Sequence, residues 1–158
     1  MDGQDEKTLV FRISGLREGK PFPIAHTGRG EDISPGFILE NLSLEAQTLA
    51  IVLEDLSHPI RNFTHWIIWN IPAMDTVPHA IPAGKRVPQL GGAVQGRAYG
   101  FHRYAGPKPP KGKRHDYRFT VCVLDTELRL GPGAGKRAFL RAAEGHILQQ
   151  GSMCSYFQ

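Results

Sequence analysis

The chain has 158 residues, of which 41% are hydrophobic and 22% are charged, and its formal net charge is +4. This length and composition predict a single folded domain over residues 1–158, with a flexible polar start over residues 1–7. No apolar run approaches the roughly 20 residues that a membrane-spanning helix needs, and the start does not resemble a secretory signal, so we predict a cytoplasmic protein. Cys122 and Cys154 are too few for a disulfide framework and lack metal-ligand spacing, so we expect buried thiols.

Four apolar runs predict β-strands. Thr8–Ile13 alternates as a half-buried strand does. Gln47–Asp55 is apolar on both faces, which is typical of a strand in the centre of a sheet. Phe63–Ile71 and Tyr117–Asp125 are further strands of this central kind. In the third run, a period of two predicts that four side chains share one side: His65, Ile67, Trp69 and Ile71.

The rest of the chain predicts long loops and a late helix. Residues 72–116 are rich in proline and glycine and show no helical period, and such a long excursion is often the working part of a domain. Helical spacing runs from Lys136 to Gln150, with His146 on the apolar stripe as a packing residue, and Gly151 is a natural stop. Ser152–Phe157 is a candidate closing strand. We therefore predict a mostly β, antiparallel fold with a C-terminal helix.

Polar side chains stand at the ends of the three central strands. Asp55 ends one strand and His65 opens the next, so antiparallel pairing would bring them to one rim. His115 and Tyr117 open the third strand and, being two apart, point the same way. Taken singly, each has a simpler interpretation: Asp55 as a turn former, His65 as a histidine of the core and His115 as an exposed loop residue. Together they predict a site, provided that the strands pair as assumed.

A proline-rich loop and a cluster of basic residues lie beside this candidate site. In the loop Gly106–Pro110, proline fixes the backbone and removes N–H donors, so we expect a rigid wall that presents Gly106, Lys108 and Pro110. A polyproline ligand segment is the less favoured interpretation, because the loop runs directly into a core strand. Basic residues crowd positions 97–118 against a single acid, Asp116, which predicts local positive potential.

Several motifs, in this order along the chain, resemble the phosphatidylethanolamine-binding protein family, in its prokaryotic, Raf kinase inhibitor-like branch. They are Asp55-Leu-Ser-His-Pro59, His65-Trp66, Val94-Gln-Gly-Arg97, Tyr104-Ala-Gly-Pro-Lys-Pro-Pro110, His115-Asp-Tyr-Arg-Phe119 and the Glu144-Gly-His-Ile-Leu segment. The resemblance implies an antiparallel β-sandwich with a C-terminal helix. It also implies a small pocket for phosphate-like anions or phospholipid headgroups, lined by Asp55, His65, His115 and Tyr117 beside the Gly106–Pro110 loop.

The chain departs from the family's pattern in the first of these motifs. Where the family usually has Asp-Pro-Asp-Ala-Pro, Ser57 stands in place of the second acid, which bears on ligand preference. Protonated imidazoles, the Tyr117 hydroxyl and loop N–H groups would hold an anion, and Asp55 would orient an imidazole and raise its proton affinity. Binding should then weaken as the pH rises above the pKa values of the histidines.

Three classes of function follow from these residues. The leading hypothesis is a non-enzymatic binding or regulatory protein without a cofactor. Its partner would be a phosphate-bearing small molecule or headgroup, and a kinase or protease partner and a homodimer stay open. The alternative is a metal-dependent enzyme with His65, His115 and Asp55 as ligands. Nucleic acid is not expected, because Tyr99, Phe101 and Tyr104 can equally well pin the long loop onto the sheet.

Overall fold

A computed structural model describes residues 6–158 and places two antiparallel sheets over this range. The large sheet has the strand order β6-β7-β4-β3-β8-β9, and the small sheet has the order β1-β2-β5. This arrangement confirms the mostly β, antiparallel architecture. The strands are β1 (Phe11–Ile13), β2 (Phe37–Leu39), β3 (Thr48–Asp55), β4 (Phe63–Pro72), β5 (Thr76–Val77), β6 (Arg86–Val87), β7 (Ala93–Gln95), β8 (His115–Leu124) and β9 (Ile147–Phe157); helix α1 is Lys136–Ala143, and short 3₁₀ helices span Ile24–His26 and Pro88–Leu90.

The two sheets enclose the main hydrophobic core. Alternate residues of β3 and β8 face inward, as the period of two in a strand requires. They pack against Phe37 and Leu39 of β2 and Ile13 of β1. Edge-to-face packing of Phe37 on Phe119, with ring centroids 5.5 Å apart, joins the sheets at their centre. The inward residues of the two central strands are Leu49, Ile51, Leu53, Tyr117, Phe119, Val121 and Val123.

Helix α1 covers the opposite face of the large sheet. Its Phe139 and Ala143 are fully buried, and the Phe139 ring stacks on Trp69 of β4 at a centroid distance of 6.1 Å. Because both faces of the sheet are covered, β3 is apolar on both sides, as its sequence indicates. The sheet residues beneath the helix include Ala50, Val52, Ile67, Val94, Cys122 and Leu124.

The helix is shorter than the sequence predicts, since it ends at Ala143 and not at Gln150. Glu144 leaves the helical conformation, and Gly145 takes a φ of +80°, which glycine adopts at little cost. The chain then turns into β9 at Ile147, and β9 pairs with β8 over most of its length. The placement of His146 as a packing residue was therefore wrong: it is exposed, and its Nδ1 lies 2.8 Å from Asp125 Oδ1.

Strand β4 contains two bulges, and they change which residues share a face. Leu49 pairs with Ile71 but Ile51 pairs with Ile68, so β4 has one extra residue there. Asn70, in this interval, has a φ of +58° and bonds through its side chain to both backbone groups of Leu128. The bulge moves Ile71 into the core between the sheets, away from Ile67 and Trp69, so the predicted common side was wrong for Ile71, and the second bulge makes it wrong for His65 as well.

The long segment between β4 and β8 contains three short strands and is held by buried contacts. Tyr104 packs edge-to-face on Trp66 at 5.2 Å, while Tyr99 and Phe101 are more than half exposed. Gln95 accepts a hydrogen bond from Trp66 Nε1 and donates to the carbonyls of Pro82, Gly84 and His102, which ties several turns of the segment together.

The start of the chain and the cysteines agree only in part with the predictions from sequence. The predicted flexible start, residues 1–7, lies outside the described residues for its first five positions, and Glu6 and Lys7 have a helical conformation. The first strand begins at Phe11, while Thr8 bridges to Gln150. Cys122 is buried, which raises the pKa of its thiol to about 12, and Cys154 is partly exposed. Among residues 6–158, no helix is long and apolar enough to cross a membrane.

Candidate functional site

The candidate site lies at one end of the large sheet, where β3 ends and β4 and β8 begin. Asp55, the last residue of β3, pairs with Phe63 at the start of β4 on one side and with Tyr117 of β8 on the other. The antiparallel pairing assumed in the sequence analysis is therefore present, and it brings the strand ends to one rim. A cavity of about 150 Å³ opens there.

A second bulge in β4 turns His65 toward this cavity. Leu53 pairs with Trp66, whereas the next residue of β3, Glu54, pairs with Thr64, so His65 is the extra residue. Without the bulge, strict alternation would place His65 with Ile67 on the face that carries α1. With it, the His65 ring lies 5.5 Å from the Tyr117 ring, centroid to centroid, on the side of Asp55. Bulges commonly re-aim side chains beside functional sites.

Asp55 is 3% exposed, and both of its carboxylate oxygens have donors. Oδ2 accepts a hydrogen bond of 2.8 Å from His115 Nδ1, and Oδ1 accepts one of 2.9 Å from the backbone N–H of Ser57. The Ser57 hydroxyl in turn accepts from the backbone N–H of Asp116 at 2.9 Å, so Ser57 fastens the loop after β3 to the start of β8. The carboxylate thus orients His115 and leaves its Nε2 for the cavity.

His65 is oriented by the backbone on its other side. Its Nδ1 lies 2.9 Å from the carbonyl oxygen of Ala105, and a carbonyl can only accept, so Nδ1 carries a proton. Its Nε2 lies 3.9 Å from Asp55 Oδ2, which is too long for a hydrogen bond. Both histidines line the cavity and hold a proton on Nδ1, so Nε2 is the ring nitrogen left without a hydrogen bond among the described residues.

The pKa of His65 lies below its ordinary value, because burial disfavours the charged imidazolium. The carbonyls of Ala105 and Gly106 and the charge of Asp55 act in the opposite direction but are outweighed, while His58 lowers the pKa further. In the protein without a ligand, His65 consequently favours the neutral form. An anion in the cavity would reverse this preference by giving the imidazolium a counter-charge.

Tyr117 is 1% exposed, and its buried hydroxyl finds no hydrogen-bond partner among the described residues. Burial, and then the nearby charge of Asp55, raise the pKa of this phenol far above its usual range, so the hydroxyl keeps its proton. A buried polar group without a partner costs about 1–3 kcal/mol, and native proteins seldom leave one unexplained. Because Tyr117 also lines the cavity, its hydroxyl is a candidate donor to a ligand there.

The proline-rich loop forms one wall and is tied to the segment after the first 3₁₀ helix. Gly28 N–H donates to the carbonyl of Pro107 at 2.8 Å, and the Arg29 guanidinium donates to that of Pro109 at 2.7 Å. Gly106 N–H donates to Asp32 Oδ1 at 2.7 Å. A side chain at Gly106 would place its Cβ 2.1 Å from the carbonyl oxygen of His26, so only glycine fits.

The structure brings most of the predicted site residues together. Asp55, His65, His115 and Tyr117 all line the cavity, and Lys108 and Pro110 join them from the loop. Gly106 does not line it: its N–H is engaged with Asp32 and so is not available to a ligand, although its carbonyl acts on His65. The lining also includes residues that the sequence analysis did not select: His58, Phe63, Tyr99 and Pro109.

His58 is the most informative of these additional residues. Its ring stacks on Phe63 with centroids 3.8 Å apart and planes 6° from parallel. Its Nδ1 accepts the backbone N–H of Ile60 at 3.0 Å, so in the neutral form the ring proton is on Nε2. His58 therefore offers an N–H donor near the pocket without needing a charge. The one available signal was its position three residues after Asp55 in the same loop.

The sequence profile of the phosphatidylethanolamine-binding protein family matches residues 13–158, which is most of the chain. The chain belongs to this family. Sequence relatives of this chain, named UPF0098 proteins, occur in archaea and bacteria, which agrees with the prokaryotic origin that the motifs indicate. It is 40% identical over 158 residues to a UPF0098 protein of Pyrococcus abyssi, covering 99% of this chain and 88% of that protein.

Other relatives and solved structures agree. A UPF0098 protein of Pyrococcus horikoshii is 36% identical over 159 residues, covering 99% of this chain and 80% of that protein. A putative phosphatidylethanolamine-binding protein homolog from Chlamydia trachomatis has a TM-score of 0.82 at 24% identity, covering 96% of this chain and 98% of that one. Escherichia coli YbcL, described as a member of the mammalian family, also has a TM-score of 0.82, at 23% identity, over 95% and 98%. The last two similarities show the shared fold.

Proposed function

We propose that this member of the phosphatidylethanolamine-binding protein family is a non-enzymatic binding protein whose pocket takes a phosphate-like anion, either free or as the headgroup of a phospholipid. The observation that carries the proposal is the buried Tyr117 hydroxyl, which has no hydrogen-bond partner among the described residues, in a cavity that both imidazoles also line. Family membership supports a binding or regulatory role in general. The cytoplasmic location and a kinase or protease partner stay predictions.

The size of the cavity favours a small guest. Its volume of about 150 Å³ corresponds to roughly five water molecules at their share of the liquid, about 30 Å³ each. Pockets for drug-sized ligands are larger, at about 300–1,000 Å³. The pocket therefore suits one tetrahedral anion or the phosphate end of a larger molecule, with the remainder of that molecule outside.

The donors of the pocket couple anion binding to proton uptake. In the neutral histidines, each Nε2 presents a lone pair to the cavity, which repels an anion. Once protonated, the same atoms become charged donors, and charge-assisted hydrogen bonds are roughly twice as strong as neutral ones. Lys108 adds a permanent positive charge at the exposed rim. Because the pKa of His65 is lowered in the free protein, we expect binding to draw a proton and to weaken as the pH rises.

The geometry does not favour the metal-dependent enzyme. Among residues 6–158, no group of three or more His, Cys, Asp or Glu side chains is arranged to hold a metal ion. The Asp55 oxygens accept hydrogen bonds from His115 and Ser57, so this carboxylate is already engaged within the protein. His65 and His115 hold their Nδ1 protons against fixed acceptors. Because these contacts leave each Nε2 open to a metal ion as well as to an anion, it is the engaged Asp55 carboxylate and the absence of a three-residue ligand group among residues 6–158 that disfavour a metal.

Isothermal titration of the full chain with sulfate tests the proposal, because the charge of sulfate stays constant across the pH range in which histidine titrates. We expect a dissociation constant on the order of 1 mM near pH 6 and much weaker binding near pH 8. Repeating the titration in buffers of different ionisation enthalpy should reveal net proton uptake. Phosphate and phosphoethanolamine, titrated in parallel, distinguish a free anion from a headgroup.

Two variants sharpen this experiment. The His65→Ala, His115→Ala double variant removes both imidazoles from the pocket and should abolish binding. His146→Ala is the matched control, since it removes a histidine that is paired with an aspartate at the other end of the large sheet. Sulfate binding that is absent in the wild type near pH 6, or unchanged in the double variant, would refute the anion pocket.

A further inference from the structure

Asp32 lies outside the pocket, yet it is linked to His65 through a single peptide group. The peptide between Ala105 and Gly106 donates its N–H to Asp32 Oδ1 at 2.7 Å, and its carbonyl oxygen accepts the His65 Nδ1 proton at 2.9 Å. A carboxylate and an imidazole thus occupy the two ends of one amide. Both residues of this peptide are buried.

We propose that Asp32 is a positioning residue for His65, which selects the Nδ1–H form of the imidazole by fixing the orientation of the Ala105–Gly106 peptide. The proposal rests on the proposed function, because it explains how one ligand-facing nitrogen of the pocket is kept in place. Asp32 contacts neither the cavity nor the Asp55 and His115 pair, so its role is separate from the direct contacts described above.

The orientation of the peptide depends on the Asp32 carboxylate. If the peptide turned over, the Ala105 carbonyl oxygen would face the Asp32 oxygens, and the Gly106 N–H would lose its charged acceptor. His65 Nδ1 would then meet an N–H, and the imidazole would have to carry its proton on Nε2 instead. In that form Nε2 would point a fixed proton toward Asp55, and Nδ1, which already accepts the peptide N–H, would have no lone pair left to take up a charge.

The charge of Asp32 also polarises the peptide. Hydrogen bonds that share one amide strengthen each other, since the negative charge at the N–H end increases the electron density at the carbonyl oxygen. A stronger acceptor for Nδ1–H makes Nε2 more basic, as partners of metal-bound histidines do. Asp32 thereby acts with Asp55 on His65, from outside the pocket and without contacting the anion.

The local backbone suits an acid at this position. Asp32 has a φ of +57°, a left-handed conformation that aspartate and asparagine adopt more readily than most other residues. Arg103 lies on the other carboxylate oxygen, with Nη1 3.5 Å from Oδ2, and is half exposed. The Arg103 guanidinium also donates to the Tyr104 carbonyl at 2.9 Å, so it supports the same loop from the surface.

These geometries define the variants for a test. Asp32→Gly removes the carboxylate at a position where glycine takes a positive φ without strain, so the fold should survive. Asp32→Asn keeps an amide oxygen for Gly106 N–H and tolerates the same backbone conformation. Arg103→Gln is the control, because it removes the other partner of Asp32 but leaves the link to the peptide.

Ring ¹⁵N NMR of His65 near pH 8, assigned with a His65→Gln variant, reports the tautomer in the absence of any ligand. We expect Nδ1–H in the wild type, in Asp32→Asn and in Arg103→Gln, and a mixture with Nε2–H in Asp32→Gly. Sulfate affinity near pH 6 should fall roughly tenfold in Asp32→Gly and recover in large part in Asp32→Asn.

The two proposals fail in different ways. A folded Asp32→Gly protein whose His65 signals match those of the wild type would overturn the role of Asp32, whatever the protein binds. A tautomer change in Asp32→Gly, with no sulfate binding by the wild type, would uphold the role of Asp32 in orienting His65 and refute the anion pocket.

Discussion

Two neighbouring carboxylates of β3, Glu54 and Asp55, are both almost fully buried but are neutralised in different ways. Glu54 faces α1 and is held by two permanent cations, Arg118 at 3.2 Å and Lys136 of the helix. Asp55 faces the opposite side of the sheet, and its charged or chargeable neighbours are the imidazoles of His65 and His115. One acid is thus part of a fixed ion cluster, and the other has partners whose charge depends on pH.

The surroundings of the two acids explain why only one of them lies in a candidate ligand site. The Glu54 cluster pins α1 to the sheet, since Lys136 is the first residue of the helix. Arginine and lysine side chains generally keep their charge across the physiological pH range. Histidine is the side chain whose ordinary pKa lies within that range. The same type of buried acid therefore attaches the helix on one face and, in the proposed function, helps to form a proton-linked pocket on the other.

The largest effect on stability is expected from Glu54→Gln. The change leaves Arg118 and Lys136 without their counter-charge, and Arg118 Nε is already buried without a partner among the described residues. Both cations are partly exposed and can reach water. We therefore expect the free energy of unfolding to fall by about 1–4 kcal/mol, which is less than the loss expected when one partner of a fully buried pair is removed. Urea denaturation measures the loss.

The control for this variant is Glu40→Gln, which removes an exposed acid paired with Arg12 at 2.7 Å. Exposed pairs contribute about 0–1 kcal/mol, so its stability should stay close to that of the wild type. Sulfate affinity should be unchanged in both variants. Equal stabilities of Glu54→Gln and Glu40→Gln would show that the Glu54 cluster does not hold the helix in place.

Tyr117→Phe should move stability and binding in opposite directions. The hydroxyl is buried and has no partner among residues 6–158, so its removal relieves an unsatisfied polar group, and we expect the free energy of unfolding to rise by about 1 kcal/mol. Sulfate affinity should fall about tenfold, because a hydrogen bond to a charged group contributes about 1.5–3 kcal/mol. Denaturation without ligand and titration with sulfate measure the two effects on the same preparation.

Tyr104→Phe provides a matched comparison. Its hydroxyl is also buried, but it donates to the carbonyl oxygen of His26 at 2.6 Å. Its removal should therefore lower stability by about 1 kcal/mol and leave the carbonyl unpaired. If both tyrosine variants were destabilised equally, the Tyr117 hydroxyl would have a hydrogen-bond partner in solution. It would then not be an unpaired donor available to an anion.

The sequence predicts the fold where strands alternate regularly and fails where they do not. The two faces of β3 are predicted because β3 pairs with β8 without interruption. In β4, the bulges at His65 and Asn70 break the period of two, and the local sequence pattern does not predict them. The end of the helix was predicted wrongly for a similar reason. His146 and Ile147 match the helical period by spacing alone, but the chain from Ile147 onward forms backbone hydrogen bonds along the edge of β8.

The sequence predicts the site residues that lie at strand ends better than those that lie in loops. Asp55, His115 and Tyr117 come together through the pairing of β3 with β8, which follows from two apolar runs. The role of Asp32 depends on a loop that meets another loop more than 70 residues later, and nothing in the sequence near Asp32 indicates that contact. His65 is an intermediate case: its motif pointed to the pocket, although strict alternation alone would have turned it away.

The smallest effect expected is a pH dependence of stability that His65 contributes. The pKa of His65 is lowered in the folded protein from the ordinary value of 6.5, so below pH 6.5 the unfolded chain binds a proton that the folded one does not yet bind. The free energy of unfolding should therefore fall with decreasing pH, by at most about 1.4 kcal/mol per pH unit, until the folded pKa is reached. Above pH 6.5 the contribution is constant. Urea denaturation between about pH 5 and pH 8 measures the slope.

Comparison with His65→Phe isolates this contribution, because phenylalanine keeps a ring against Tyr99 and Tyr117 but cannot titrate. The variant should be less stable at every pH, since the Ala105 carbonyl loses its donor, but its slope below pH 6.5 should be flatter. Sulfate should flatten the slope of the wild type as well, by supplying the counter-charge that lets folded His65 take up its proton. Identical slopes of the free energy of unfolding against pH in wild type and variant would mean that burial does not hold His65 neutral. The contrast between the permanent cations around Glu54 and the titratable imidazoles around Asp55 would then not be supported.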